Sequence, residues 1–212
     1  MNWVDGILIL LLLVMVVIGS KKGLIRELMA FAIFFAAVIV SVNYIDHFAV
    51  WVYDQVGGSP LISAFLAFAI LLAVTYAAFK LLGLLFYRVA NLKQIGKKDQ
   101  MGGALVGFLR GWVAIGFLTF MAFLLPLPDA FYTAFESSMF GPVVAKTVPL
   151  MYEGTSPLHP SRPSFMGQLE QALLVAPNDS KGDSRVLDEH RVQVHRVLYQ
   201  MERFFTTSLD DT

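Results

Sequence analysis

Asp99-Gln-Met-Gly-Gly-Ala-Leu-Val-Gly-Phe-Leu-Arg-Gly111 opens an apolar run that continues to Leu127. Gly103, Gly107 and Gly111 recur at four-residue spacing, which on an α-helix lines them along one face. Small residues at that spacing let two helix backbones approach closely. Arg110 sits beside the glycines in a segment long enough to cross a bilayer. A permanent charge at that depth must find a partner or reach toward water. The seam has two readings: packing of this span against another span of the chain, or an oligomer interface or the lining of a narrow path.

Three more apolar blocks precede this one. Hydrophobic residues make up 57% of the chain and charged residues 15%, against roughly 45–50% and about 25% in ordinary soluble domains. The blocks place spans at about 4–20, 24–42, 61–86 and 103–127. The expected fold is an all-α integral membrane protein. Its four transmembrane helices form a module over residues 1–128, and a partly helical, outward-facing tail covers 129–212. Pro126 and Pro128 stop the last span, because proline lacks the backbone donor and clashes with the preceding turn.

Basic residues give the orientation. Lys21, Lys22 and Arg26 follow the first span, and Arg88, Lys93, Lys97 and Lys98 follow the third. The connection from Asn43 to Pro60 carries no Lys or Arg. Short cytoplasmic loops are enriched in these residues, so the N-terminus and the tail are expected on the outer side of the membrane and the two basic loops inside. The first block is expected to be retained, since its basic residues follow the apolar run instead of preceding it. Residues 44–56 mix Asp46, His47 and Asp54 with aromatics, which suits either an interfacial helix or an ordinary outer loop with anchoring rings.

The tail contains two linker-like stretches, 154–163 and 176–184, with a short amphipathic helix expected over 165–176 between them. A stronger helix is expected near 184–206. There Leu187, Val194, Leu198, Met201 and Phe205 draw one apolar stripe, suited to recruiting an envelope protein partner.

Composition excludes several chemistries. The formal net charge is zero, so nothing points to nucleic acid. The chain has no cysteine, which removes disulfides and thiolate metal sites. Its histidines, His47, His159, His190 and His195, lack helical zinc spacing, and no nucleophile–base pair or phosphate-cradling glycine loop appears. No catalytic residue, metal or cofactor is expected, and the chain is not read as an enzyme. Lys97-Lys98 suits contact with anionic lipid heads. For Arg110 the candidate partners are Glu27, at the start of the second span, and Asp99, three turns back on its own helix, with Arg26 as a further interfacial charge. Asp5, at the other end of the first span, is expected to face water or a neighbouring polar group.

Three places make the chain resemble the colicin V production protein (CvpA) family. Trp3-Val4-Asp5 leads into an apolar helix. Gly19-Ser-Lys-Lys-Gly23-Leu-Ile-Arg26-Glu27 matches the family's glycine, basic and Arg-Glu turn. Asp99-Gln-Met-Gly102 runs into Gly107-Phe-Leu-Arg110-Gly111. The resemblance covers about the first 128 residues and departs at Lys22 and Gln100, where the family commonly carries arginine. It implies a small inner-membrane protein linked to production or export of the peptide toxin colicin V and to envelope stress tolerance. It also implies relatives in which such a module carries an outward-facing trypsin-like protease.

Two function classes follow. The first is a scaffold acting through helix packing, membrane lipid and partner recruitment by the tail. The alternative is an oligomeric channel or transporter component whose polar path is marked by Arg110, Glu27 and Asp99.

Overall fold

The computed structural model describes residues 2–56, 59–89, 96–155, 164–174 and 184–205. Among them every regular element is a helix. Four are long and apolar enough to cross a membrane: α1 (Trp3–Lys22), α2 (Leu24–Asn43), α4 (Pro60–Val89) and α5 (Lys97–Phe123). The protein is an all-α membrane protein. Between α2 and α4 lies α3 (Ile45–Val56), so all but the first residue of the 44–56 stretch is helical. It buries Ile45, Ala49 and Val52 and leaves Trp51 exposed.

Gly23 alone joins α1 to α2. Its φ of 80° and ψ of 165° lie where a side chain would strain the backbone, and this one residue reverses the chain. α1 and α5 run antiparallel, as their contacts show. Gly19 lies against Gly103 and Gly107, Met15 against Gly107 and Gly111, and Leu12 against Gly111. Below, the end carrying Lys22 and Lys97 is the lower end, and the end carrying Trp3 and Phe123 the upper.

The fourth span differs from expectation at both ends. It begins at Lys97, where Gly96 is the N-cap and Asp99 stands in the first turn, an arrangement the helix dipole favours. It ends at Phe123, because the turn leading to Pro126 begins before the prolines themselves.

The tail folds onto the upper end through α6 (Asp129–Glu136), α7 (Gly141–Ala145), α8 (Thr147–Gly154), α9 (Phe165–Leu174) and α10 (Ser184–Phe205). Phe123 anchors it, with ring centroids 5.5 Å from Phe135, 5.4 Å from Tyr132 and 5.0 Å from Phe204. Phe120 meets Phe165 at 5.5 Å. The expected helices at 165–176 and 184–206 appear as α9 and α10. The linker-like stretches fall largely on residues 156–163 and 175–183, outside the described residues.

One part of the tail does not stay at the upper end. Thr147, the first residue of α8, accepts a hydrogen bond from Trp112 Nε1 at 3.1 Å and fills the space beside Gly116, where a Cβ would lie 2.5 Å from that of Thr147. At ~1.5 Å per residue, Gly116 and Trp112 lie roughly 10 and 16 Å below Phe123. The α7–α8 turn therefore dips into the spanning layer, toward the middle of a ~30 Å hydrocarbon core. Irregular backbone is tolerated at that depth only when protein encloses it. Val144, Ala145, Thr147 and Val148 are accordingly buried. A boundary at 128 thus divides the sequence but not the packing.

Candidate functional site: a buried charge cluster below an apolar cavity

The lower end brings together Lys22, Glu27, Asp99 and Arg110. Glu27, in the first turn of α2, is fully buried. Arg110 Nη1 approaches its Oε1 at 2.9 Å, and Lys22 Nζ its Oε2 at 3.8 Å. A second Arg110 nitrogen reaches the Met15 sulfur at 3.9 Å. Both Glu27 oxygens are held by charge alone, without a hydrogen bond of good geometry. Removing one partner of such a pair would leave a buried charge uncompensated.

Of the two candidate partners for Arg110, the fold selects Glu27. Asp99 does something else: its Oδ1 accepts the backbone N–H of Leu24 at 2.8 Å. Leu24 begins α2, and the N-cap, Gly23, has no side chain with which to cap it. Asp99 of α5 supplies that cap from across the helix interface. Arg26 stands beside Glu27 on an exposed face of α2.

Gly103, Gly107 and Gly111 all face α1. A Cβ on Gly107 would lie 2.7 Å from the Met15 carbonyl oxygen, and one on Gly103 2.8 Å from the Gly23 carbonyl carbon. At Gly111 the neighbour is a side chain, with the Met15 Cβ at 2.7 Å. The glycine face packs within the chain.

Above Arg110 lies a cavity of about 740 Å³. Phe34 of α2, Phe65, Ala69, Leu72 and Tyr76 of α4, and Ala114, Phe117 and Met121 of α5 line it. α4 meets α5 near the upper end, where Phe68 packs against Phe117 and Phe120. The cavity runs beside these rings, with Phe65, Met121 and Leu125 lining its upper part and Tyr76 and Arg110 its lower part. Its charged lining residues are Lys22 and Arg110.

A second polar site ties α1 to the tail, and it supplies the polar neighbours expected for Asp5. Asp5 is fully buried. Its Oδ1 accepts hydrogen bonds from Ser138 Oγ at 2.6 Å, Met139 N at 2.9 Å and Phe140 N at 3.2 Å, and its Oδ2 accepts from Asn2 N at 2.8 Å. Asn2 Nδ2 adds a bond to the Ala134 carbonyl at 2.9 Å. The available signal was one carboxylate in an otherwise apolar span, which must find donors.

The expected partner stripe faces inward. Val194, Leu198 and Met201 of α10 are buried in the core of this chain, while the side chains of Leu187 and Phe205 lie outside the described residues. An apolar stripe on a tethered helix finds the nearest apolar surface, here the upper end of its own module. Among the described side chains of α10, Val192 and Tyr199, seven residues apart, are large apolar groups left exposed.

The colicin V production protein family matches residues 4–149. The chain belongs to that family. No curated protein and no solved structure matches it. Membership supports a role of the kind the colicin V production proteins are named for. The match runs past the last span to Pro149, taking in Ser138 and the buried α7–α8 turn. Two of the three stretches by which the chain resembles this family, 19–27 and 99–111, meet at the lower end, while the third, Trp3-Val4-Asp5, lies at the upper end. Gly19 seats Gly103 and Gly107, Asp99 caps Leu24, and Arg110 pairs with Glu27. Lys22, a departure from the usual arginine, still faces Glu27. Gln100, the other departure, is exposed.

Proposed function

We propose that this protein is an inner-membrane scaffold or accessory factor for colicin V production or export and for envelope homeostasis. Its lower end would face the cytoplasm, and its upper end, with the folded cap α6–α10, the periplasm. One observation supports a scaffold over a channel. Glu27, Arg110 and Asp99 are engaged with neighbours at the lower side, and the space above them is lined almost entirely by apolar side chains. A polar path across the chain would need acceptors and donors along that wall. The basic loops support the orientation. Partner recruitment then falls to the outward face of α10, where Val192 and Tyr199 are exposed.

The absence of native cysteine makes single-cysteine labelling clean. Cysteines at Lys98 and at Tyr199 should react from opposite sides of the membrane, Tyr199→Cys from the periplasm. A photocrosslinker at Val192 or Tyr199 should capture an envelope protein in cells, while purified protein in liposomes should pass no more ion or solute than empty liposomes. Flux above that background would replace the scaffold with the channel.

A further inference from the structure

The cavity between α4 and α5 has a shape and polarity that the scaffold role does not use. It follows α5 from Arg110 to Leu125, a length of roughly 22 Å at ~1.5 Å per residue. It therefore runs along the membrane normal as a trough. Its walls are rings and aliphatic side chains from α2, α4 and α5, with Tyr76 as the polar exception, and both of its charged lining residues are cations. A volume of about 740 Å³ falls within the roughly 300–1,000 Å³ range of sites that enclose small ligands.

The charge balance at the lower mouth is uneven. Glu27 and Asp99 carry two negative charges at the lower end against six cations, Lys21, Lys22, Arg26, Lys97, Lys98 and Arg110, so positive charge is in surplus there, and of these cations Lys22 and Arg110 line the cavity. The Lys22 side chain is 47% exposed, so its ammonium remains available to a group at the mouth. An apolar trough closed at one end by surplus positive charge fits one class of molecule: an amphiphile with a long hydrocarbon chain and an anionic head.

We propose that this cavity binds one anionic glycerophospholipid. Its acyl chain lies in the trough between α4 and α5, and its phosphate-bearing head meets Lys22 and Arg110. A membrane supplies that ligand laterally, without a path through water. A zwitterionic lipid fits the trough equally well but leaves the surplus charge uncompensated, so head charge sets the selectivity.

Native mass spectrometry of the full chain tests this, with phosphatidylglycerol and phosphatidylethanolamine titrated separately. One phosphatidylglycerol should bind in preference to phosphatidylethanolamine. Lys22→Gln leaves the Arg110–Glu27 pair in place and should cut the preference about five-fold, the weight of one lysine near an anionic headgroup. Ala114→Phe should fill the trough and abolish retention of either lipid. Lys97→Gln/Lys98→Gln, in the basic loop outside the cavity, should leave the preference intact. Equal binding of the two lipids would overturn the proposal. So would a preference lost with Lys97 and Lys98 but kept in Lys22→Gln, since that would place the bound head on the loop. Retention by a folded Ala114→Phe variant would equally reject the trough, and the Lys22→Gln result stands independently if that variant does not fold.

Discussion

Gly19 of α1 and Gly107 of α5 touch backbone to backbone: a Cβ built on Gly19 would lie 2.8 Å from the Gly107 Cα. The same Cβ would also collide with the Gly103 carbonyl oxygen. No rotamer change can relieve a contact with main chain, so any side chain here must separate the two helices along their length.

Gly107→Leu should therefore destabilise the monomer, by about 1–3 kcal/mol or more for overpacking, without altering its oligomeric state. Denaturant titration in detergent beside light scattering separates the two effects. Gly6→Ala is the control. Nothing lies within 4 Å of its added Cβ, and replacing a helical glycine should gain roughly 0.5–1 kcal/mol. An oligomer dissociated by Gly107→Leu without loss of monomer stability would show that the seam lies between copies.

The Arg110–Glu27 pair should behave as a unit. Arg110→Leu leaves Glu27 buried without its closest cation, Lys22 standing at 3.8 Å, and a broken buried pair costs about 3–5 kcal/mol. Glu27→Leu combined with Arg110→Leu should recover much of that loss, because neither charge then remains unpaired. A double-mutant cycle on unfolding free energies measures the coupling, and additive losses would show that the two side chains act separately.

Asp5 should hold the cap to the module. Asp5→Ala removes the acceptor for Ser138, Met139 and Phe140, and a hydrogen bond to a charged group contributes about 1.5–3 kcal/mol. Hydrogen exchange should rise at Met139 and Phe140 while the lower end, around Gly103, stays protected. Ser138→Ala should give a smaller effect of the same kind. Unchanged exchange at Met139 in Asp5→Ala would mean that ring packing alone seats the cap.

Alkali should loosen the cap through Tyr132. Burial pushes its hydroxyl above the ordinary value, and the charge of Asp129 adds to the shift. The folded state thus holds the proton more tightly than the unfolded chain. This contribution is complete below the unfolded pKa of about 10 and is lost as pH rises through the higher folded value. Tyr132→Phe removes the donor to the Leu125 carbonyl at a cost of about 1 kcal/mol. It should also flatten the alkaline fall in stability, read from unfolding midpoints at increasing pH.

Much of the architecture was legible in the chain because it depends on neighbours in sequence. Span lengths follow from runs of apolar residues, and Pro126 and Pro128 mark the stop of the last span, although its helix ends at Phe123, before either proline. The spacing of Gly103, Gly107 and Gly111 likewise marked a packing face before any partner was known. Glu27 and Asp99 were both visible as candidates for Arg110. Their division of labour was not, since it turns on which residues α2 and α5 bring within a few ångströms.

By itself, then, the sequence determined a membrane protein of four spans with a close-packing face and charges grouped on one side. Hydropathy, helix period and proline chemistry are local properties, and each is complete within a few turns. Only the tertiary structure decided that the glycine face meets α1 of the same chain, that Asp5 grips Ser138, and that Thr147 descends to Gly116. It also turned the α10 stripe inward and left the trough between α4 and α5. Each of these outcomes joins groups distant in the chain. Apolar stripes and buried charges accept many partners, and the three-dimensional arrangement selects the one that leaves the fewest polar groups unpaired in the membrane layer.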